Sequence, residues 1–154
     1  MKKRKQNNFS LIHHNLFVVS IDTKWRSHPP PLATPREEDL YCLGIVKKEK
    51  DSSSIATLRD LRGEHIPMLN NLQKDGLAVI EKIYGIQSDQ IRCYFHYQPQ
   101  FYHFRVFFTR LENKIGAAVE RGHLLIDIIQ NLDLFTDWPF SKPDLVTKIQ
   151  IHFI

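Results

Sequence analysis

The most regular pattern of apolar and polar positions lies between His96 and Thr109, where aromatic, β-branched and basic residues follow one another. Residues 101–110 contain no glycine or proline, which predicts an extended strand after a turn at 98–100. Successive side chains of a strand point to opposite faces of the sheet. One face of this strand therefore carries Phe101, His103, Arg105, Phe107 and Thr109. Core packing alone does not require an imidazole and a guanidinium among aromatic rings. This face is therefore either a functional surface or the solvated side of an edge strand.

Other segments predict the rest of the fold. Short apolar runs at 16–21, 39–46, 91–97 and 145–153 predict strands. Apolar residues recur at three- and four-residue intervals over 64–84 and 119–132, which predicts two amphipathic helices, the first ending at Gly85. This order of elements indicates an α+β domain, with an antiparallel sheet and two main helices packed on it.

The second predicted helix carries two basic residues, Arg121 and His123, in its first turn. Positive side chains there add to the positive end of the helix dipole and are unfavourable unless an anion binds nearby. This local conflict is of the kind expected at functional sites.

The chain has 154 residues, which is enough for one domain with a sizeable core. We expect residues 1–15 to be a basic, disordered tail and residues 16–154 to be the folded domain. The prolines from Pro29 to Pro35 exclude helix there and predict a loop or a stiff spacer. No apolar run approaches the roughly 18 residues that span a bilayer, so no membrane partner is expected.

The net charge of +4 is concentrated in two clusters, Lys2–Lys5 and Lys47–Lys50. Each cluster either attracts a polyanion such as RNA or is merely a solvated surface, and the first could also be a nuclear targeting signal. Without a secretory signal, Cys42 and Cys93 are expected to be buried thiols in a reducing compartment. The expected location is therefore the cytoplasm, the nucleus or both.

The segment Asp22-Thr23-Lys24-Trp25 directly follows the first predicted strand. A carboxylate, an ammonium group and an indole at a strand end form a candidate ligand-facing corner. The alternative is a surface turn with a half-buried tryptophan.

Five separated blocks of the chain resemble the histidine-triad proteins, and specifically the scavenger mRNA-decapping enzymes. They occur in the same order as in that family: Asp22–Trp25, Asp39–Tyr41, Leu58–Leu61 with Glu64-His65, His96–Pro99 and Val119–Leu125. The resemblance covers about residues 16–152 and corresponds to the family's C-terminal catalytic domain. It implies a histidine-triad-like fold, with the family's N-terminal, domain-swapped part absent from this sequence.

The resemblance also implies an activity: metal-free hydrolysis of the triphosphate bridge in capped nucleotides and short capped RNA, which releases 7-methyl-GMP. No cofactor is implied. The family's strand reads His-x-His-x-His, and its middle histidine attacks phosphorus to form a covalent nucleotidyl intermediate. A neutral imidazole suits this role because it is nucleophilic near neutral pH without a base to activate it.

At this strand the sequence departs from the family pattern. His103 matches the first histidine, but Arg105 occupies the nucleophile's position and Phe107 the third. A guanidinium stays protonated and has no lone pair for attack, although it can bind phosphate. His103 is thus the only remaining catalytic candidate, and we expect an inactive or strongly impaired domain.

The other matched positions are expected to bind ligand, and none is expected to bind a metal. Asp22 would contact the methylated base and Lys24 the phosphates, while Gln100 and Phe101 stand where the family has Ser and Tyr hydroxyls. The full set expected to bind ligand is Asp22, Lys24, Tyr41, His96, Gln100, Arg105 and Arg121.

Three functional hypotheses follow. The first is weak binding of a capped mononucleotide, the cap dinucleotide or short capped RNA. The second is residual hydrolysis through His103 or His96. The third is an interaction module that forms a homodimer or pairs with a full-length relative through surface once used for assembly.

Overall fold

The computed structural model describes residues 10–21, 40–47, 55–97, 99–113 and 122–134. Within them, a six-stranded antiparallel sheet has the strand order β1-β2-β3-β5-β4-β6. The strands are β1 (Ser10–His13), β2 (Phe17–Ile21), β3 (Tyr41–Val46), β4 (Ile91–His96), β5 (Arg105–Arg110) and β6 (Gly122–Leu124). The helices are α1 (Ile66–Tyr84) and α2 (Leu125–Leu134), and short 3-10 turns occur at Leu58–Asp60, Gly63–His65 and Ser88–Gln90. The predicted α+β architecture is confirmed.

The main core lies between the sheet and helix α1. Alternate strand residues point into it, and they include Phe17, Val19, Cys42, Val106 and Phe108, all fully buried. Helix α1 contributes the stripe Leu69, Leu72, Gly76, Ile80 and Tyr84. The periodicity over 64–84 predicts an apolar face that includes Leu69, Leu72, Gly76, Ile80 and Ile83. The stripe confirms this face except for Ile83, which is 36% exposed.

Two glycines allow the helix to approach the sheet closely. A Cβ atom at Gly76 would lie 2.5 Å from Cζ of Phe108, and one at Gly44 would lie 2.7 Å from Cδ1 of Leu72. Both distances are far below van der Waals contact, so a larger residue would force a shift. The rigid Phe108 ring opposes that shift at Gly76, whereas the end of the Leu72 side chain can give way more easily at Gly44.

Helix α1 ends where the sequence predicts. Gly85 has φ +70° and its N–H donates to the carbonyl of Glu81, which is the left-handed C-terminal cap that glycine favours. The sequence predicts that the helix begins at residue 64, but residues 63–65 form a separate 3-10 turn and α1 begins at Ile66. Just upstream, Thr57 and Asp60 form a reciprocal capping box.

Strand β5 is shorter than predicted, because it begins at Arg105 and not at Phe101. The N–H of His103 donates to the carbonyl of Phe101 at 2.8 Å, and the N–H of Phe104 donates to Ile55 at 3.2 Å. These bonds bend the chain over 101–104, and they override the β propensity of the aromatic residues.

The second helix also begins later than predicted. Gly122 to Leu124 pair with the edge of β4, and α2 starts only at Leu125. Glycine is a weak helix former, and the β4 edge offers this segment backbone hydrogen-bond partners on one side. His123 therefore lies on a strand, and the helix-dipole interpretation does not apply to it.

The expected disordered tail of residues 1–15 is wrong for Ser10–His13, which pairs with β2 as an edge strand. The turn between them is fixed in two ways. The His14 ring stacks on Phe17 with ring centroids 4.4 Å apart, and the Lys47 ammonium donates to the His14 carbonyl.

Cys42 and Cys93 are both buried free thiols, as predicted. Burial raises the pKa of the Cys93 thiol to about 12, so it stays protonated and is not a nucleophile. Neither described helix is long and apolar enough to cross a membrane. The predicted proline loop, the final strand at 145–153 and the corner at 22–25 lie outside the described residues.

We predict that Gly76→Ala destabilises the domain, although alanine is the better helix former. The new methyl group would overlap the Phe108 ring, and overpacking of this kind costs about 1–3 kcal/mol, against a helix-propensity gain of about 1 kcal/mol. Urea unfolding should show a lower free energy of unfolding for Gly76→Ala than for the wild type. Asn71→Ala, at an exposed position of the same helix, is the control and should not destabilise; equal effects of both changes would contradict this packing.

Candidate active site

The candidate site lies on the sheet face opposite α1, which we call the second face. Because Val106 and Phe108 face α1, the alternate residues Arg105 and Phe107 point to the second face. Phe107 pairs with Leu43 of β3 on one side and with Tyr94 of β4 on the other. The predicted separation of the two faces of β5 is therefore confirmed from Arg105 onward.

Phe107 is the centre of an aromatic cluster on this face. Its ring centroid lies 4.6 Å from that of His96, 5.4 Å from Tyr94 in a stacked arrangement and 5.8 Å from Tyr41 in an edge arrangement. Tyr94 and Tyr41 are 1% and 4% exposed, so the middle of the face is tightly packed. The cluster places His96 at the border between this apolar centre and the end of the sheet.

Burial raises the pKa of the Tyr94 phenol. Hydrogen bonding to the Thr109 and Tyr41 side chains and the charge of Arg92 oppose that increase. The neutral phenol is thus a structural part of the cluster and not a base.

His103 is fixed against the end of β3. Its Nε2 lies 2.6 Å from the carbonyl oxygen of Val46, and the N–H of Val46 donates to the carbonyl of Phe104. Since a carbonyl oxygen only accepts, Nε2 must carry the proton and donate it. The imidazole lone pair can then reside only on Nδ1.

The Arg105 guanidinium lies over the ring of Phe101, with Cζ 4.9 Å from the ring centroid. Its Nε is shielded from solvent and has no hydrogen-bond acceptor among the described residues. A shielded N–H without an acceptor costs about 1–3 kcal/mol. Arg105 is thus a half-buried cation whose hydrogen-bonding capacity is incompletely used.

His123 was assigned to a helix by the sequence pattern, but it lies on β6 opposite Phe95 and near Tyr97. Burial and, to a smaller extent, the charge of His96 lower the pKa of His123. The neutral form is therefore favoured. The Arg59 guanidinium lies over the Tyr97 ring, with Cζ 5.4 Å from the ring centroid.

Among the predicted site residues, the structure brings Tyr41, His96 and Arg105 to the second face. Gln100 lies in the exposed turn before β5. Asp22, Lys24 and Arg121 lie outside the described residues, so their roles stay predictions. Within the described part of the chain, no group of three or more His, Cys, Asp and Glu side chains is placed to hold a metal ion.

Sequence reasoning missed Tyr94 and the proximity of His123 to His96. The alternation of Cys93, Tyr94, Phe95 and His96 could have indicated that Tyr94 shares a face with His96. The position of His123 could not be found in this way, because it depends on β6 pairing with an edge of the sheet that is distant in sequence.

Residues 1–122 match the family described as scavenger mRNA decapping enzyme, C-terminal binding. The chain belongs to this family. It is 38% identical to an m7GpppX diphosphatase of Bos taurus over 118 residues, which cover 76% of this chain. Two further m7GpppX diphosphatases match: that of Caenorhabditis elegans at 37% identity over 79% of the chain, and that of Schizosaccharomyces pombe at 31% over 90%.

These matches confirm the resemblance of the sequence to the decapping family. The aligned part spans only 32%, 36% and 40% of the three relatives, in the order given, so this chain corresponds to about a third of their length. The six-stranded sheet with its two helices is consistent with the α+β, histidine-triad-like fold expected for that family.

We predict that His96→Gln raises the pKa of His123, because it removes a positive charge next to it. The shift should be only partial, since burial is the larger cause. Imidazole NMR titration measures it directly, with His65→Gln in a separate turn as the control. No change on His96→Gln, or an equal change on His65→Gln, would contradict the coupling.

The lowered pKa of His123 makes the stability of the domain depend on pH. The pKa of His123 in the folded state lies below its unfolded value of 6.5. As pH falls below about 6.5, the unfolded chain takes up the proton first, and the contribution of neutral His123 to the free energy of unfolding is lost. His96→Gln should reduce this loss.

Proposed function

We propose that this chain is a decapping-family domain that binds the phosphates of capped nucleotides weakly and hydrolyses them poorly or not at all. The proposal rests on Arg105, a residue of β5 that the sequence resemblance aligns with the family's nucleophilic histidine. The expected ligands are a capped mononucleotide, the cap dinucleotide or short capped RNA, in the cytoplasm or the nucleus.

The chemistry of Arg105 supports loss of the covalent step. Attack on phosphorus needs a lone pair, and the guanidinium is protonated at every ordinary pH. The same group remains a strong ligand for phosphate oxygens. Replacement of an imidazole by a guanidinium thus removes nucleophilicity and keeps affinity for the anion.

The surroundings of Arg105 support the same conclusion. His103 Nε2, on the residue that matches the family's first histidine, is 2.6 Å from the Val46 carbonyl and is committed to it. Phe107, at the third position, is packed into the aromatic cluster and has no polar atom. Phe107 has no lone pair to offer, and the His103 ring, held at Nε2 by Val46, keeps a lone pair only on Nδ1 and stands two residues before the nucleophile's position.

Binding is supported by the polar groups that border the cluster. His96 and Arg105 are both half-buried on the second face, and Tyr41 contacts Phe107 from β3. A partly desolvated cation interacts with phosphate more strongly than one in bulk water. Asp22, Lys24, Gln100 and Arg121 complete the proposed set.

The experiment compares the wild type with the double variant Arg105→His, Phe107→His. Wild type should bind 7-methyl-GTP saturably at about millimolar concentration or below in calorimetry, yet release no 7-methyl-GMP from the cap dinucleotide. The double variant should gain release on the order of 10²-fold or more above the wild-type background, because it restores an imidazole nucleophile.

Arg92→His is a matched control, since Arg92 lies on the same face at the other end of the sheet and donates to the carbonyls of Leu111 and Asn113. It should remain inactive. Wild-type release that is lost on His103→Ala would contradict the proposal and favour residual hydrolysis. Absence of saturable 7-methyl-GTP binding would exclude the binding role.

A second candidate function is an interaction module, and the exposed apolar side chains at one edge of the sheet favour it. Leu124 on β6 is 41% exposed, and on α2 Ile126 and Leu134 are 44% and 72% exposed. Within the described residues, β6 is an edge strand of the sheet. The backbone groups on its outer side therefore pair with none of the other five strands. A second copy or a full-length relative would bury these side chains.

If this edge associates, light scattering of the purified chain should report a dimer, and Ile126→Lys should shift it toward monomer because a buried charge is costly. Ile83→Lys, on a partly exposed position of α1, is the control. A monomer at all concentrations, together with no capture of a full-length family member, would exclude this function.

A further inference from the structure

Residues 99–104, just before β5, form a turn that carries candidate ligand contacts, and we call it the site turn. It includes Gln100, and His96 lies shortly before it at the end of β4. Phe95 and Phe104, one before the turn and one at its end, are both buried, and their ring centroids are 5.4 Å apart. The two ends of the site turn therefore meet over the core.

A second segment, residues 55–61, contacts the chain at both ends of the site turn. The carbonyl of Ile55 accepts a hydrogen bond from the N–H of Phe104 at 3.2 Å. At the other end, the Arg59 guanidinium lies over the ring of Tyr97, the residue that follows β4, at 5.4 Å from the ring centroid. This distance is within the range of a cation–π contact. One short segment thus holds both ends of the turn.

The segment 55–61 can act as a fixed support because it is closed by its own hydrogen bonds. The Asp60 carboxylate accepts from the N–H of Thr57 at 2.8 Å, and the Thr57 hydroxyl accepts from the N–H of Arg59 at 3.2 Å. Two leucines of the segment, Leu58 and Leu61, are 1% and 0% exposed. The backbone of Arg59 is therefore anchored in the core, and only its side chain extends to another element.

The aromatic ring is the contact that holds the Arg59 guanidinium. Its Nε has no acceptor among the described residues, and none of the ion pairs between described residues includes it. By contrast, the Arg62 guanidinium donates to the carbonyls of Arg59 and Leu61, at 2.7 Å each. The two arginines thus differ in what they support: Arg62 supports the backbone of its own segment, and Arg59 supports Tyr97.

Arg59 acts on the site turn from the side of the sheet that faces the core. Tyr97 is half-buried and packs against the core, whereas its neighbour His96 contacts Phe107 on the second face. Tyr97 also meets the His123 ring edge-on, with centroids 6.3 Å apart. The support of the turn and the proposed ligand contacts therefore lie on different sides of the sheet.

We propose that Arg59 is a positioning residue for the ligand site: by holding Tyr97 it fixes the entry into the site turn, and with it the placement of His96 and Gln100. This inference rests on the proposed binding function and adds a residue that acts through another. The Phe104 end keeps its own hydrogen bond and buried ring, so loss of Arg59 releases only one end of the turn. A site whose supporting residues are loosened binds its ligand more weakly.

The first experiment compares the backbone amide NMR shifts of the ligand-free wild type, Arg59→Ala and Arg62→Ala. Arg59→Ala should shift the amide signals of residues 100–104, because Tyr97 loses the contact that holds it. Arg62→Ala is the matched control, since its hydrogen bonds stay within its own segment. It should leave those signals unchanged.

The second experiment titrates the same proteins with 7-methyl-GTP and follows the same amide signals. Arg59→Ala should weaken binding about threefold, the value of an exposed cation–π contact. Arg59→Lys keeps a cation over the ring and should restore part of the affinity. In a Tyr97→Leu background, Arg59→Ala should have no further effect on affinity, because its partner is already absent.

Unchanged amide signals at residues 100–104 in Arg59→Ala would overturn the inference and leave the proposed function intact. Equal effects of Arg59→Ala and Arg62→Ala would also overturn it, as would a full further loss of affinity in the Tyr97→Leu background. Absence of 7-methyl-GTP binding by the wild type would remove the proposed binding role. The amide signals of the ligand-free protein would then still decide whether Arg59 positions the turn.

Discussion

The contact between helix α1 and strands β3 and β5 determines the arrangement of the whole domain. Gly76 and Gly44 bring the helix so close to the sheet that the Phe108 ring and the Leu72 side chain fill the space where a Cβ atom would lie. Because Phe108 is fixed toward the helix, strand alternation directs its neighbour Phe107 to the opposite face. The candidate site is therefore a consequence of how the core is packed.

On that second face, a packed aromatic side chain and a charged side chain lie two residues apart on one strand. Phe107 contacts three aromatic neighbours, whereas Arg105, two residues earlier, contacts only Phe101 among the described aromatic rings. The apolar centre lowers the local dielectric and makes the adjacent cation a stronger ligand for an anion. A packed apolar centre and a half-buried cation therefore lie two residues apart on one short strand.

Hydrogen bonds in the segment just before β5 hold Phe101 and Arg105 in contact. Val46 at the end of β3 receives the His103 ring on its carbonyl and donates its N–H to Phe104. The turn at 101–104 is thus held by backbone groups of another strand, and it places Phe101 beneath the Arg105 guanidinium. A continuous strand from residue 101 would have carried Phe101 along the sheet, away from this contact.

The sequence by itself determined the class of the fold, the stripe of α1 and its end at Gly85, because these depend on local periodicity and on the backbone freedom of one glycine. It also determined family membership. Only the tertiary structure decided where β5 begins, that Ser10–His13 and Gly122–Leu124 are strands, and that His123 lies near His96. These features arise from hydrogen bonds between segments distant along the chain, which override local propensity and which no local pattern of residues encodes.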